Sequence, residues 1–127
     1  MDNMRTALGL MNLAQSDLQA AMILTMPGEY HNACYHSRQA AKRALKALVK
    51  GLSLKAPEHC DLGTLVAVLK TNDPTFPDFT TEVTVLDIYS SVNVDQIDFL
   101  SKINAEDAKK AHRLAATVVV TCRGRLS

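Results

Sequence analysis

The sequence contains no tryptophan, and aromatic residues make up only 5% of its 127 residues. A surface on which nucleic-acid bases stack needs several aromatic side chains, so the composition does not favour a base-stacking platform. A large excess of one charge is also missing, because 14 Lys and Arg residues are balanced by 13 Asp and Glu residues. The formal net charge of +1 argues against a protein that coats nucleic acid by bulk electrostatics, and it leaves room only for a local basic surface.

Long apolar runs are missing as well. No stretch approaches the ~20 apolar residues that a membrane span requires, and the N-terminal residues do not have the pattern of a signal peptide. We therefore expect a cytoplasmic protein without membrane contact. The cysteines Cys34, Cys60 and Cys122 have no short spacing typical of a zinc site or a redox pair. This spacing predicts reduced thiols that are mostly buried.

Motifs for catalysis and cofactor binding are not found either. The sequence has no glycine-rich phosphate loop, and its serines lack the context of a nucleophile elbow. His31 and His36 are separated by about 140° on a helix, so they do not form a metal-binding pair. We predict no catalytic residue, no metal and no cofactor.

The periodicity of apolar and small residues predicts a helical protein. Such residues recur every three or four positions over most of the chain, and the length suits one domain over residues 1–127. One segment also has strand-like composition, but a lone strand would have no partner, so we predict a helix there. The predicted helices cover residues 3–26, 29–50, 60–70, 79–94 and 104–123. The fold class that follows is all-α, a single up-and-down bundle of four to five helices.

Local signals complete this prediction. Pro27 and Gly28 end the first helix, Gly51 has the position of a glycine just beyond the second, and Asp61 and Asn104 are N-cap candidates. The residues between 71 and 77 are predicted to form a loop. The predicted buried face of the first helix consists of Met4, Leu8, Met11, Gln15, Leu18, Met22 and Thr25.

Charge is unevenly distributed along the chain. Residues 1–60 hold seven bases and four acids, residues 61–103 two bases and seven acids, and residues 104–127 five bases and two acids. Within the first segment, bases recur every four residues on one helix face. We call this set the basic ridge; it consists of Arg38, Lys42, Lys46 and Lys50.

The basic ridge has two interpretations. It is either a solvated helix face whose aliphatic stems cover apolar surface, or a binding site for phosphate. For the second interpretation, the predicted ligands are Arg38, Lys42 and Lys46, with His112 and Arg113 as weaker additions.

The second predicted helix resembles the signature helix of the HEPN family (higher eukaryotes and prokaryotes nucleotide-binding). The similar run covers residues 30–48, within which Ser37, the residues from Gln39 to Ala41 and those from Ala44 to Ala47 match the family pattern. The first helix is similar to the family's Ala-x-x-Asp-Leu-x-x-Ala pattern through residues 14–21. The segment from His59 to Leu62 resembles its His-Asp-Leu motif with Cys60 inserted.

The departures from the family pattern bear on function. Nuclease members carry an Arg followed by a His about five to seven positions later, and no Arg here has a His in that window. Lys42 also replaces a usual acid. The resemblance therefore implies a non-catalytic helical domain that binds a nucleotide, RNA or a nucleotidyltransferase partner, as a homodimer. Many members of the family are toxins that cut RNA, and others accompany small nucleotidyltransferases in two-gene modules.

Two alternatives of different classes stay open. The first is a divergent HEPN ribonuclease with His36, His59 or His112 as its base. The second is a pure protein-interaction or dimerisation module, in which the acidic and basic segments of two copies meet.

Overall fold

The computed structural model describes residues 2–89 and 102–126, and within these ranges the chain forms five helices. The helices are α1 (Asp2–Thr25), α2 (Tyr30–Gly51), α3 (Leu62–Asn72), α4 (Thr80–Asp87) and α5 (Ala105–Leu126). The all-α prediction is confirmed. The predicted helix over residues 79–94 is confirmed for Thr80–Asp87, and its part from residue 90 onward lies outside the described residues.

The long helix α2 is the centre of the bundle, since it packs most extensively against α1 and next against α5. Asn3, at the start of α1, donates a hydrogen bond to Ser53, just beyond the end of α2, so these two helices are antiparallel. Gly51 and Leu126 lie close together at the ends of α2 and α5, so these helices run in the same direction. No described helix has the combined length and apolar character needed to cross a membrane.

Small side chains form the contact between α1 and α2. Both helices bury alanines, and small residues at a helix interface allow the two backbones to approach closely. The buried alanines of these two helices are Ala7, Ala14, Ala21, Ala33, Ala40, Ala41, Ala44 and Ala47. The apolar core is completed by α3, α4 and α5, whose larger members include Leu62, Leu65, Leu86 and Val118.

The predicted buried face of α1 is wrong, because the face turned to the core is the alanine face beside it. Met4, Leu8 and Met22 are 39%, 53% and 60% exposed, whereas Ala7 and Ala14 are fully buried. Of the predicted set, only Met11 is a fully buried core residue. The predicted periodicity is correct in spacing but not in phase, because close packing against α2 favours small side chains over large ones.

Two glycines have different roles. Gly28 has a φ of 85°, so it makes the left-handed turn predicted after α1. Gly51 is the last residue of α2 and does not follow it as predicted. A Cβ atom there would overlap the Leu126 side chain, which would have to shift, and would lie 3.4 Å from Ala7 Cβ, so this glycine stands where three helices approach closely. The left-handed turn after α2 is made by Ser53, with a φ of 57°.

Both predicted N-caps are present. The Asp61 carboxylate accepts a hydrogen bond from the backbone N–H of Thr64 at 2.8 Å at the start of α3. Asn104 and Asp107 form a reciprocal pair before α5, in which each side chain accepts from the other residue's backbone N–H at 3.0 Å. These bonds satisfy N–H groups that a helix start otherwise leaves unpaired.

The loop between α3 and α4 is held by Arg125 of α5. Helix α3 continues to Asn72, so the loop begins two residues later than predicted. The Arg125 guanidinium bonds Asp73, donates to the Thr75 carbonyl at 3.0 Å, and lies 5.7 Å from the centre of the Phe76 ring. The buried Phe76 ring meets Phe79 edge-to-face at 5.6 Å. The loop is therefore part of the core as well as a connection.

The phase of α1 gives a direct test. We expect Ala14→Leu to destabilise the protein by ~1–3 kcal/mol, because the added atoms have no space between α1 and α2. The control Ser16→Leu, at an exposed position of the same helix, should change stability by less than about 0.5 kcal/mol. Urea denaturation followed by circular dichroism measures both. Equal effects of the two substitutions would contradict the observed burial of the alanine face.

Candidate functional site

The structure divides the basic ridge into one buried cation and three accessible ones. Arg38 is only 7% exposed, and its Nε donates a hydrogen bond to Asp87 Oδ1 at 3.3 Å, at the end of α4. The side chains of Lys42 and Lys46 are half-buried, and Lys50 is exposed. The charge of Arg38 is thus compensated within the bundle by Asp87, whereas the three lysines of the ridge are accessible at the surface of the bundle.

Lys42 lies in an environment that disfavours its positive charge. Partial burial lowers the pKa of Lys42, and the nearby charges of Lys46 and Arg38 lower it further, partly opposed by Cys60 and Asp87. A bound anion would offset this repulsion. The ridge therefore has accessible lysines whose mutual repulsion a negatively charged ligand would reduce.

The ridge ends in a cleft of about 430 Å³ beside the last turns of α2. Three lysines line it: Lys46 and Lys50 from α2 and Lys55 from the following segment, with Glu58 as the acid among the lining residues. Its apolar lining comes from α1, α2, α3 and the segment after α2. The apolar lining residues are Leu10, Val49, Leu54, Ala56, Pro57 and Leu65. We call this site the lysine cleft.

The chain turn after α2 forms the lysine cleft. Ser53 takes a left-handed conformation, and the backbone N–H of Leu54 bonds the Val49 carbonyl at 2.9 Å. The carbonyls of Leu48 and Lys50 also accept hydrogen bonds, from Leu52 and Ser53. The carbonyls at this helix end are therefore paired, which reduces the negative potential that an anion would meet there.

The predicted phosphate ligands do not all come together. Lys46 lines the lysine cleft and Lys42 is one helical turn before it, whereas His112 and Arg113 line a different cleft between α1 and α5. Lys55 was missed by the sequence analysis, because it stands in a connector with no periodicity. Its position in the sequence, between the end of a basic helix and Pro57, could have indicated that the chain turns back and brings Lys55 close to the lysines of that helix.

His36 belongs to a three-residue cluster that joins α1 to α2. His36 Nδ1 lies 3.0 Å from Asp17 Oδ1, and Arg43 donates to Asp17 Oδ2 at 2.6 Å. The Asp17 carboxylate is buried, while both of its partners are 35% exposed. Asp17 is the acid of the first-helix pattern that resembles the HEPN family. Its contacts with His36 and Arg43 show that this acid links α1 to α2. Among the described residues, no group of three or more His, Cys, Asp or Glu is arranged to hold a metal ion.

The cysteines have the environments expected of structural thiols. Cys34 and Cys122 are buried, and Cys60 is half-buried. Burial raises the pKa of the Cys34 thiol to about 11 and that of Cys122 to about 12. A thiol of such pKa is almost entirely protonated near neutral pH, and the protonated form is a poor nucleophile.

Comparison with known proteins identifies the fold. A family model described as the HEPN domain matches residues 7–124. The chain is similar to TT1696 from Thermus thermophilus, with 21% identity and a TM-score of 0.77 over 94% of this chain and 97% of that one. It is also similar to ST0689, described as an archaeal HEPN homologue, with 20% identity and a TM-score of 0.76 over 95% and 98% of the two chains. No significant match is found among curated proteins.

The Asp17 cluster makes a stability prediction. We expect Asp17→Asn to reduce the free energy of unfolding by ~1–3 kcal/mol, because the neutral amide loses a buried, charge-assisted contact with Arg43. The control Glu106→Gln removes a charge that is 81% exposed, and it should change stability by less than about 0.5 kcal/mol. Thermal unfolding at matched protein concentration measures both. An unchanged midpoint for Asp17→Asn would show that the cluster does not stabilise the α1–α2 contact.

Proposed function

This chain belongs to the HEPN domain family, and on that premise we propose that it is a non-catalytic module that binds a nucleotide in the lysine cleft. The observation that carries the proposal is the presence of three lysines in a cleft with an apolar lining. The lysines supply charge to the phosphates, and the apolar residues supply a surface for the base and sugar. The site residues of this proposal are Lys46, Lys50 and Lys55, with Lys42 beside them.

The size and composition of the cleft favour a nucleotide over RNA. Its volume of about 430 Å³ falls within the usual range of small-molecule sites, roughly 300–1,000 Å³. None of the described residues that line it is aromatic, and aromatic rings are what single-stranded RNA sites use to hold successive bases. Arg38 is assigned a supporting role, since its contact with Asp87 fixes the helix that carries the lysines.

The remaining sequence-based proposals concern other surfaces. Homodimerisation, a nucleotidyltransferase partner and a ribonuclease activity based on a histidine are implied by the family resemblance and stay predictions. For the ribonuclease alternative, His36, His59 and His112 stay the candidate bases. The contact between His36 Nδ1 and Asp17 supports His36, because an Nδ1–H directed at the carboxylate leaves Nε2 able to accept a proton. Because contact with Asp17 already gives His36 a structural role between α1 and α2, we favour the binding proposal over the ribonuclease alternative.

The nucleotide proposal is tested by removing two cleft charges. We expect Lys46→Gln combined with Lys55→Gln to weaken the binding of ATP by about tenfold or more, which corresponds to ~1.4 kcal/mol of lost interaction. Isothermal titration calorimetry measures the affinity, and circular dichroism checks that helicity is retained. The matched control, Arg5→Gln combined with Lys110→Gln, removes the same net charge from exposed positions that line neither cleft.

Two results would contradict this assignment. One is an equal loss of affinity in the matched control, which would show that only net charge matters. The other is no binding of ATP, GTP, CTP or UTP to the unsubstituted protein.

The lowered pKa of Lys42 predicts a pH dependence of binding. A bound phosphate raises the pKa of Lys42 by offsetting its repulsion from Lys46, so binding is coupled to proton uptake where unbound Lys42 has begun to lose its proton. Affinity should therefore fall as the pH rises toward the lysine range, and the fall should begin below the usual lysine pKa of ~10.4. In Lys42→Gln the affinity should be lower at neutral pH and flatter across this window. Identical pH profiles for the two proteins would contradict a role for Lys42.

A further inference from the structure

A second cleft, of about 380 Å³, lies between the end of α1 and the first half of α5. Helix α1 and the turn after it contribute Met22, Thr25 and Met26. The α5 helix contributes Lys109, His112 and Arg113. We call this site the methionine cleft; it shares no lining residue with the lysine cleft.

The α1 side of the methionine cleft is apolar and exposed. Met22 is 60% exposed and Met26 is 86% exposed, and Ile23 between them is 66% exposed. Met22, in the last turn of α1, and Met26, in the turn that follows, both line the cleft and so lie on one side of this segment. Large apolar side chains grouped on a surface mark an interaction site more often than single ones do.

The α5 side of the methionine cleft is cationic. Lys109, His112 and Arg113 have the i, i+3, i+4 spacing of a single helix face. Among the residues that the structure describes, no acid lines this cleft. Glu106 is 4.0 Å from Lys109, but this pair is exposed on both sides and contributes little. The cleft thus has one apolar wall and one basic wall, each set by a helix.

We propose that the methionine cleft binds an acidic amphipathic helix of a partner protein. Such a helix places its apolar face in a groove between two helices and its acidic side chains beside the basic wall. Methionine suits the apolar wall, because its unbranched, polarisable side chain adapts to irregular apolar partners. Charge complementarity requires the partner helix to be acidic, since the basic wall would repel a basic helix.

The same features disfavour RNA as the occupant. Within residues 2–89 and 102–126, no aromatic residue lines the methionine cleft, and half of the described lining residues come from the uncharged α1 side. His112 and Arg113, first predicted as phosphate ligands, are here assigned to carboxylates of the partner helix. The proposal does not depend on nucleotide binding, because it rests on different residues.

The test uses a synthetic probe of defined chemistry. The probe is a fluorescein-labelled peptide helix with leucines at i, i+3, i+4 and i+7 and glutamates on the opposite face. A second peptide carries lysines in place of the glutamates. Fluorescence anisotropy measures the affinity of both peptides for the full chain, and we expect the glutamate peptide to bind at least about tenfold more tightly than the lysine peptide.

Substitutions in the cleft locate the binding. Met22→Ser combined with Met26→Ser should weaken the glutamate peptide by about tenfold or more, as expected for central apolar contacts. The control Met4→Ser changes an exposed methionine near the other end of α1, and it should leave the affinity unchanged. These positions are exposed, so folding is expected to be retained, and circular dichroism verifies it.

Exchanging the charge of the basic wall gives the most specific test of the proposal. Lys109→Glu combined with Arg113→Glu should abolish binding of the glutamate peptide and create binding of the lysine peptide. The control Lys110→Glu alters an exposed neighbour that does not line the cleft, and it should preserve the original preference.

The proposal is overturned by any of three results. The first is failure of the glutamate peptide to bind, or binding that is indifferent to the cleft substitutions. The second is a change in sedimentation mass caused by the methionine substitutions, which would make a second copy of this chain the occupant. The third is a loss of oligo-uridine binding in the charge-exchange variant, which would assign the cleft to RNA.

Discussion

The close approach of α1, α2 and α5 is the constraint on which the rest of the structure depends. Alanines fill the α1–α2 contact, and Gly51 has only a hydrogen atom where a Cβ would meet Leu126. Because these backbones are so close, few large side chains fit between them. Of the large apolar residues of α1, Met11 is buried in the core, whereas Leu8 and Met22 stay at the surface.

This constraint also determines where charge is found. Asp17 enters the α1–α2 contact only because His36 and Arg43 both bond its carboxylate, and Arg38 is buried only because Asp87 compensates it. The remaining bases of the basic ridge are directed outward and continue to the end of α2, where the chain turns back through Ser53. The lysine cleft is thus a consequence of tight helix packing followed by a sharp turn. Its apolar lining and its lysines are the features on which the nucleotide proposal rests.

The helices, their caps and most of the α2 and α5 core were predictable from the sequence, because each is a local property. Spacing of three and four residues identifies a buried stripe, and Asp61 and Asn104 occupy N-cap positions. The phase of α1 was not predictable, since a helix with alanines on one face and methionines on the next has two possible interiors. The inward turn of Arg38 was missed for a related reason. Its partner Asp87 is 49 residues away, and no periodicity within α2 distinguishes it from Lys42.

The candidate site was predictable only in part. The basic ridge indicated Lys42 and Lys46, but the cleft also depends on Lys55, which the turn after α2 brings to the site. The direct measurement is an amide chemical-shift map of the full chain titrated with ATP. The proposal predicts that the largest shifts fall at Lys46, Val49, Lys50 and Lys55, with little change from Lys109 to Arg113. Shifts confined to the methionine cleft, or no shifts at all, would contradict it.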